Sequence, residues 1–124
     1  MQRYVIAAII GVMGCFTVAG AHAAQCPITD VQATVAQACP CSSFTSHGKY
    51  LACVRKQANT LRKQGCNVNR TARCATTSIC GKPRSPVVCR LSNGHAKLIS
   101  AERCTAKGGL AVPGATSLCD ARKG

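Results

Sequence analysis

Apolar residues recur at helical spacing through the middle of the chain. At about 100° per residue, Tyr50, Leu51, Val54, Ala58 and Leu61 fall on one face, while Lys49, Arg55, Lys56, Asn59, Arg62 and Lys63 fall on the other. Ser46 stands where a hydroxyl can accept from a first-turn N–H, and Gly65 where a left-handed residue ends a helix. Together they predict a helix over 47–64, roughly 27 Å long at the usual rise per residue. Gln57 interrupts the apolar stripe, and Cys53 flanks it, within reach of neighbours for a disulfide. In a Schellman ending the residue after the glycine packs back on the last turn, which pairs Cys66 with Leu61.

Shorter patterns lie on both sides. Thr29-Asp30-Val31-Gln32 fits a capping box, and Ile28, Val31, Val35 and Ala38 share a helical face, so a short helix to about Ala38 is expected. Cys39-Pro40-Cys41 ends it, because proline disfavours helical backbone in the residue before it. A weaker helix capped by Asn69 is expected across Arg70 to Ser78, with Cys66 and Cys74 bracketing the joint as a local pair. Gly81-Lys82-Pro83 then turns the chain.

Beyond that turn the period changes from helical to alternating. Val87 to Leu91 and Ala96 to Ile99 read as strands, and Asn93-Gly94 between them as a two-residue hairpin turn. That register sets Arg90 opposite Lys97. Like charges so placed repel, so the register differs or an anion sits nearby. Ser100 caps one helical turn to Lys107, ended by Gly108-Gly109, and Val112-Pro113-Gly114 turns the chain toward Cys119. The predicted fold is small and disulfide-rich, mainly α with two or three short helices, and carries a C-terminal β-hairpin. Residues 24–84 form the helical cysteine-rich region and 85–124 a small cysteine module with the hairpin.

Residues 1–23 have a separate character. Arg3 precedes an apolar run to Ala24, and Ala21-His22-Ala23 offers an A-x-A cleavage site, so the segment reads as a secretory signal. Val12-Met13-Gly14-Cys15 is a looser match to a lipoprotein box, which would lipidate Cys15 instead. From residue 24 onward, Leu, Ile, Val and Phe number 17 in 101, too few for an ordinary core. Ten of the 11 cysteines lie there: Cys26, Cys39, Cys41, Cys53, Cys66, Cys74, Cys80, Cys89, Cys104 and Cys119. An even number in a short exported chain implies a disulfide framework and a secreted or periplasmic location. The spacing alone leaves the connectivity open.

Charge narrows the range of partners. The same 101 residues carry 15 Lys and Arg against Asp30, Glu102 and Asp120, a net charge of +12, and no acid lies between Asp30 and Glu102. Such a field attracts anionic polymers, whether an envelope glycan, a glycosaminoglycan or a nucleic-acid backbone. Lys49, Arg55, Lys56, Arg62 and Lys63 are the candidate contacts. Phe44 and Tyr50 are the sole aromatics after the leader, too few for base stacking, so any nucleic-acid binding is backbone-led.

Enzymatic chemistry finds little material. Three carboxylates are a poor source of an acid/base dyad, and His47 and His95 are the only histidines past the leader. His47, in the first turn of the central helix, reads as a structural imidazole, and His95 as exposed beside the hairpin turn. Cys39, Cys41 and His47 form a conceivable zinc set, but there is no C-x2-C pair and an oxidising compartment favours disulfides. No cofactor motif is present. The reading is a non-enzymatic binding or envelope-associated protein, with a membrane-active cationic effector and a small secreted hydrolase as alternatives.

The segments CPC, HGKYLACV and CGKP, spanning Cys39 to Pro83, resemble uncharacterised cysteine-rich exported bacterial proteins that carry CPC…HGxYxxCV…CGK. The tail from Val88 to Cys119 resembles a short extracellular cysteine module of bacteria, with Arg90 and Ala96 standing where its second and third cysteines belong. Both resemblances imply export and disulfides and carry over no catalytic residue.

Overall fold

The computed structural model describes residues 25–122. The expected signal segment and Cys15 lie outside the described residues. The chain forms α1 (Val31–Ala38), α2 (His47–Lys63), α3 (Asn69–Thr76), β1 (Val87–Arg90), β2 (Ala96–Ile99), α4 (Ala101–Ala106) and β3 (Leu110–Ala111), with short 3-10 turns at Cys41–Ser43 and Asp120–Arg122. It is thus helical and disulfide-rich with an antiparallel sheet, as the pattern predicts.

The central helix has the predicted ends. Ser46 Oγ accepts from Lys49 N–H at its start. At its end Gly65 N–H donates to Arg62 and Cys66 N–H to Leu61, the paired bonds of a Schellman motif, with Gly65 at φ 82°. Val54, Ala58 and Leu61 are buried, while Tyr50 and Leu51 are half-buried beside them. These pack with Val35, Cys39, Cys66, Val68 and Ala75 from α1, the α2–α3 joint and α3 into one apolar cluster.

Two caps differ from expectation. Asp30, not Thr29, caps α1 by accepting from Ala33 N–H, which puts Ala33 where a capping box needs Glu or Gln. Asn69 is the first residue of α3 and not its cap. Its N–H instead donates to Asn67 Oδ1, and the helix ends at Thr76, two residues early.

The hairpin also corrects the sequence reading. Arg90 pairs with Ala96 and Cys89 with Lys97, a one-residue slip from the two-residue turn. Gly94 N–H donates to the Leu91 carbonyl and Leu91 N–H to the His95 carbonyl, so Ser92, Asn93 and Gly94 form a three-residue loop with Gly94 left-handed at φ 80°. Asn93 Oδ1 accepts from His95 N–H, which favours this longer loop. The slip puts Arg90 and Lys97 on opposite faces of the sheet, so their repulsion does not arise. A third strand, β3, was not legible in the sequence. It pairs with β1 on the side away from β2, giving the order β2-β1-β3.

All ten cysteines in the described residues are joined: Cys26–Cys66, Cys39–Cys53, Cys41–Cys80, Cys74–Cys119 and Cys89–Cys104. The expected Cys66–Cys74 pair is not formed. Cys66 at the end of α2 takes the N-terminal Cys26, and Cys74 on α3 takes Cys119, so both bridges span long stretches of chain. Cys39–Cys53 staples the end of α1 to α2, and Cys89–Cys104 staples β1 to α4. Backbone bonds reinforce the link between the tail and the helices, from Ile79 N–H to Thr116 and from Leu118 N–H to Thr77. Five disulfides place the folded protein in an oxidising environment. Among the described residues, no helix is long and apolar enough to cross a membrane.

Candidate functional site

The outward side of α2 carries a row of cations. Lys49, Arg55, Lys56, Arg62 and Lys63 are all exposed. At the angular step of an α-helix they cover an arc of about 140°. The helix, 17 residues long, extends roughly 25 Å, enough to run along several charges of a polymer. Its inward side is held against α1 and α3, and its two ends are capped, so these five side chains project from a fixed rod. Asn59 lies among them, its Oδ1 3.5 Å from Arg62 Nη1. Arg62 and Lys63 also lie in the last turn, where unpaired carbonyls make the helix end negative and lower the cost of their charge.

The protein's few acids are engaged away from this face. Asp30 caps α1. Asp120 Oδ2 accepts from the backbone N–H groups of Thr116 and Ser117 at 2.9 and 3.0 Å and fastens the C-terminal turn. Glu102 lies in the first turn of α4, at the favourable end of that helix's dipole.

The residues of the CPC, HGKYLACV and CGK segments meet at the start of α2 and build a structural node. Cys41 is bonded to Cys80, and the carbonyl of Cys80 lies 2.8 Å from His47 Nδ1. A carbonyl can only accept, so Nδ1 carries the proton. Gly81 presses on the backbone of Ser46 and His47 so closely that a Cβ there would lie 2.4 to 2.6 Å from their atoms. Tyr50 stacks edge-on against Phe44, with ring centroids 5.6 Å apart. Burial pushes the Tyr50 phenol up from its ordinary pKa, the charge of Asp120 adds to that, and the Ser78 hydroxyl opposes it.

The residues weighed for catalysis or metal are otherwise occupied or apart. His95 is exposed beside the hairpin loop. The sulfurs of Cys39 and Cys41 are bonded to those of Cys53 and Cys80, which removes them as thiolate ligands beside His47. Among the described residues, no three His, Cys, Asp or Glu side chains are grouped to hold a metal. The two hairpin cations, Arg90 and Lys97, are not brought together either. Arg90 turns its guanidinium inward to donate to the Ala121 carbonyl, and only Lys97 is exposed.

One cationic cluster was not legible in the sequence. Arg70 and Arg73 on α3 and Arg122 near the C-terminus line one open cleft of about 620 Å³ beside the Cys74–Cys119 bridge. The spacing of Arg70 and Arg73 puts them on one side of a helix, but Arg122 reaches them through a bridge whose partners spacing does not reveal.

No family model matches the chain, and no curated protein or solved structure matches it either.

Proposed function

We propose that this is an exported, non-enzymatic protein that binds anionic polymers along the outer face of α2. The observation that carries the reading is the row of five exposed cations on one rigid helix, in a chain with no acid between Asp30 and Glu102. Contact is with the charged backbone of the polymer, because long cationic side chains without exposed aromatic neighbours recognise charge spacing and not bases. Export rests on the apolar leader with its A-x-A site, and the disulfides agree with a secreted or periplasmic destination.

The membrane-active alternative has less support. Leu110, at 77% exposure, is the only large apolar side chain displayed among the described residues. One leucine is far from the apolar face that seats an amphipathic helix in a bilayer.

The test is binding to heparin and to duplex DNA across a salt series. Each phosphate neutralised on duplex DNA contributes about 0.9 to the slope of log K against log salt. Combining Arg55→Gln, Lys56→Gln and Lys63→Gln leaves the buried face intact and is expected to lower that slope by about one unit per contacting charge, with little dependence on base sequence. An unchanged slope in the folded triple variant would show that the face is merely solvated.

A further inference from the structure

The cleft formed by Arg70, Arg73 and Arg122 differs in kind from the α2 face. There, lysines and arginines are strung out along a rod. Here three arginines, brought from two parts of the chain, line one concavity whose wall includes the Cys74–Cys119 bridge. Guanidinium is a planar fork that pairs two N–H groups with two oxygens, so arginines around a cleft suit a compact oxyanion better than a long polymer.

Nearby groups sharpen the choice. Asn67 also lines the cleft, and since its Oδ1 accepts from Asn69 N–H, its amide nitrogen remains as a further donor. Among the described residues the acidic side chain nearest in sequence to Arg122, that of Asp120, is held by Thr116 and Ser117. Asp30 lines a neighbouring depression that it shares with Arg70, but its Oδ1 accepts the N–H of Ala33 at the cap of α1. Three positive groups with an amide donor exceed what one carboxylate needs and match a doubly charged tetrahedral group with three free oxygens. The cleft continues into a smaller hollow that shares Arg73, Arg122 and Cys119 and adds Thr77 and Leu118. That hollow gives the carbon side of an ester an apolar surface to rest on.

We infer that this cleft is a phosphomonoester-binding site, independent of the α2 face. The Cys74–Cys119 bridge and the backbone bond from Leu118 N–H to Thr77 build it by holding the C-terminal turn against α3. The phosphate ester of a small molecule and a phosphate at the end of a polymer present the same group.

The experiment is calorimetric titration of the oxidised full chain with methyl phosphate, methyl sulfate and a short oligonucleotide with or without a 5′-phosphate. Methyl phosphate, doubly charged at pH 7.5, is expected to bind at least tenfold tighter than singly charged methyl sulfate. Arg73→Gln and Arg122→Gln should each weaken methyl phosphate by roughly tenfold, since each removes a charge-assisted pair. The α2 triple variant should bind methyl phosphate as wild type does, which separates this site from the polymer reading. A preference for the 5′-phosphorylated oligonucleotide over the unphosphorylated one, lost in Arg73→Gln, would identify polymer ends as a source. Binding of methyl phosphate with no such preference would restrict the site to small esters. Equal affinity for methyl phosphate and methyl sulfate, or wild-type affinity in a folded Arg73→Gln variant, would overturn the inference.

Discussion

Gly81 and Gly94 both have left-handed backbone, at φ 70° and 80°, yet their surroundings set very different costs for a side chain. Nothing lies within 4 Å of a Cβ built at Gly94, so Gly94→Ala meets only the backbone penalty, about 1 kcal/mol. At Gly81 the same penalty adds to a collision with the backbone of Ser46 and His47, which α2 cannot relieve without losing its cap. Gly81→Ala is therefore expected to cost several times as much, on the order of 3 kcal/mol or more, in chemical denaturation. Equal losses at the two positions would contradict the close packing described for the node. Tyr50 supplies a test by pH. Its pKa is raised above 10.0, so the neutral phenol is favoured in the folded state. The stability this contributes is fully present below the unfolded pKa and is lost as pH rises from about 10 through the folded value. Denaturation midpoints should fall more steeply above pH 10 in wild type than in Tyr50→Phe, and parallel curves would remove Tyr50 as a source.

At the scale of elements, legibility followed how local the deciding interaction is. α2 was readable to within a residue because its cap, its stripe and its closing glycine all lie within its own stretch. The hairpin was readable as a hairpin but not in register, because Asn93-Gly94 is compatible with both a two- and a three-residue loop. The choice rests on bonds among Leu91, Asn93 and His95 that differ by one step. β3 left no signal: two residues, both exposed, acquire strand geometry only because β1 is beside them. The basic face of α2 was legible for the same reason as the helix itself, whereas the arginine cleft depended on a distant bridge. The α2 ending carries its own prediction. Gly65→Ala forces a left-handed alanine where the Schellman bonds close and should cost about 1 kcal/mol, read as a lower melting temperature with an unchanged fold. No loss would mean that the last turn frays in solution.

Across the whole molecule, bridges replace apolar mass. The buried cluster is made mainly of small residues, valine, alanine and cysteine, with Leu61 the largest member, and Cys89 and Cys104 are themselves buried beneath the sheet. The shortest loops, across separations of 14 and 15 residues, are each closed at a gain of about 3 kcal/mol by restricting the unfolded chain. Full reduction should abolish cooperative unfolding followed by circular dichroism, and a reduced chain that still melts sharply would show that the core suffices alone. The same frame holds α2 with its charged side outward. The central claim is that this face, and not net charge in general, binds polyanions. It is tested most directly by comparing the salt slopes for duplex DNA of two charge-matched triple variants. One carries Arg55→Gln, Lys56→Gln and Lys63→Gln on α2, and the other carries Lys97→Gln, Arg103→Gln and Lys107→Gln at exposed positions of the tail. The account predicts a slope lowered by about three units in the first variant and nearly unchanged in the second. An equal reduction in both would contradict it, because only the total charge would then matter.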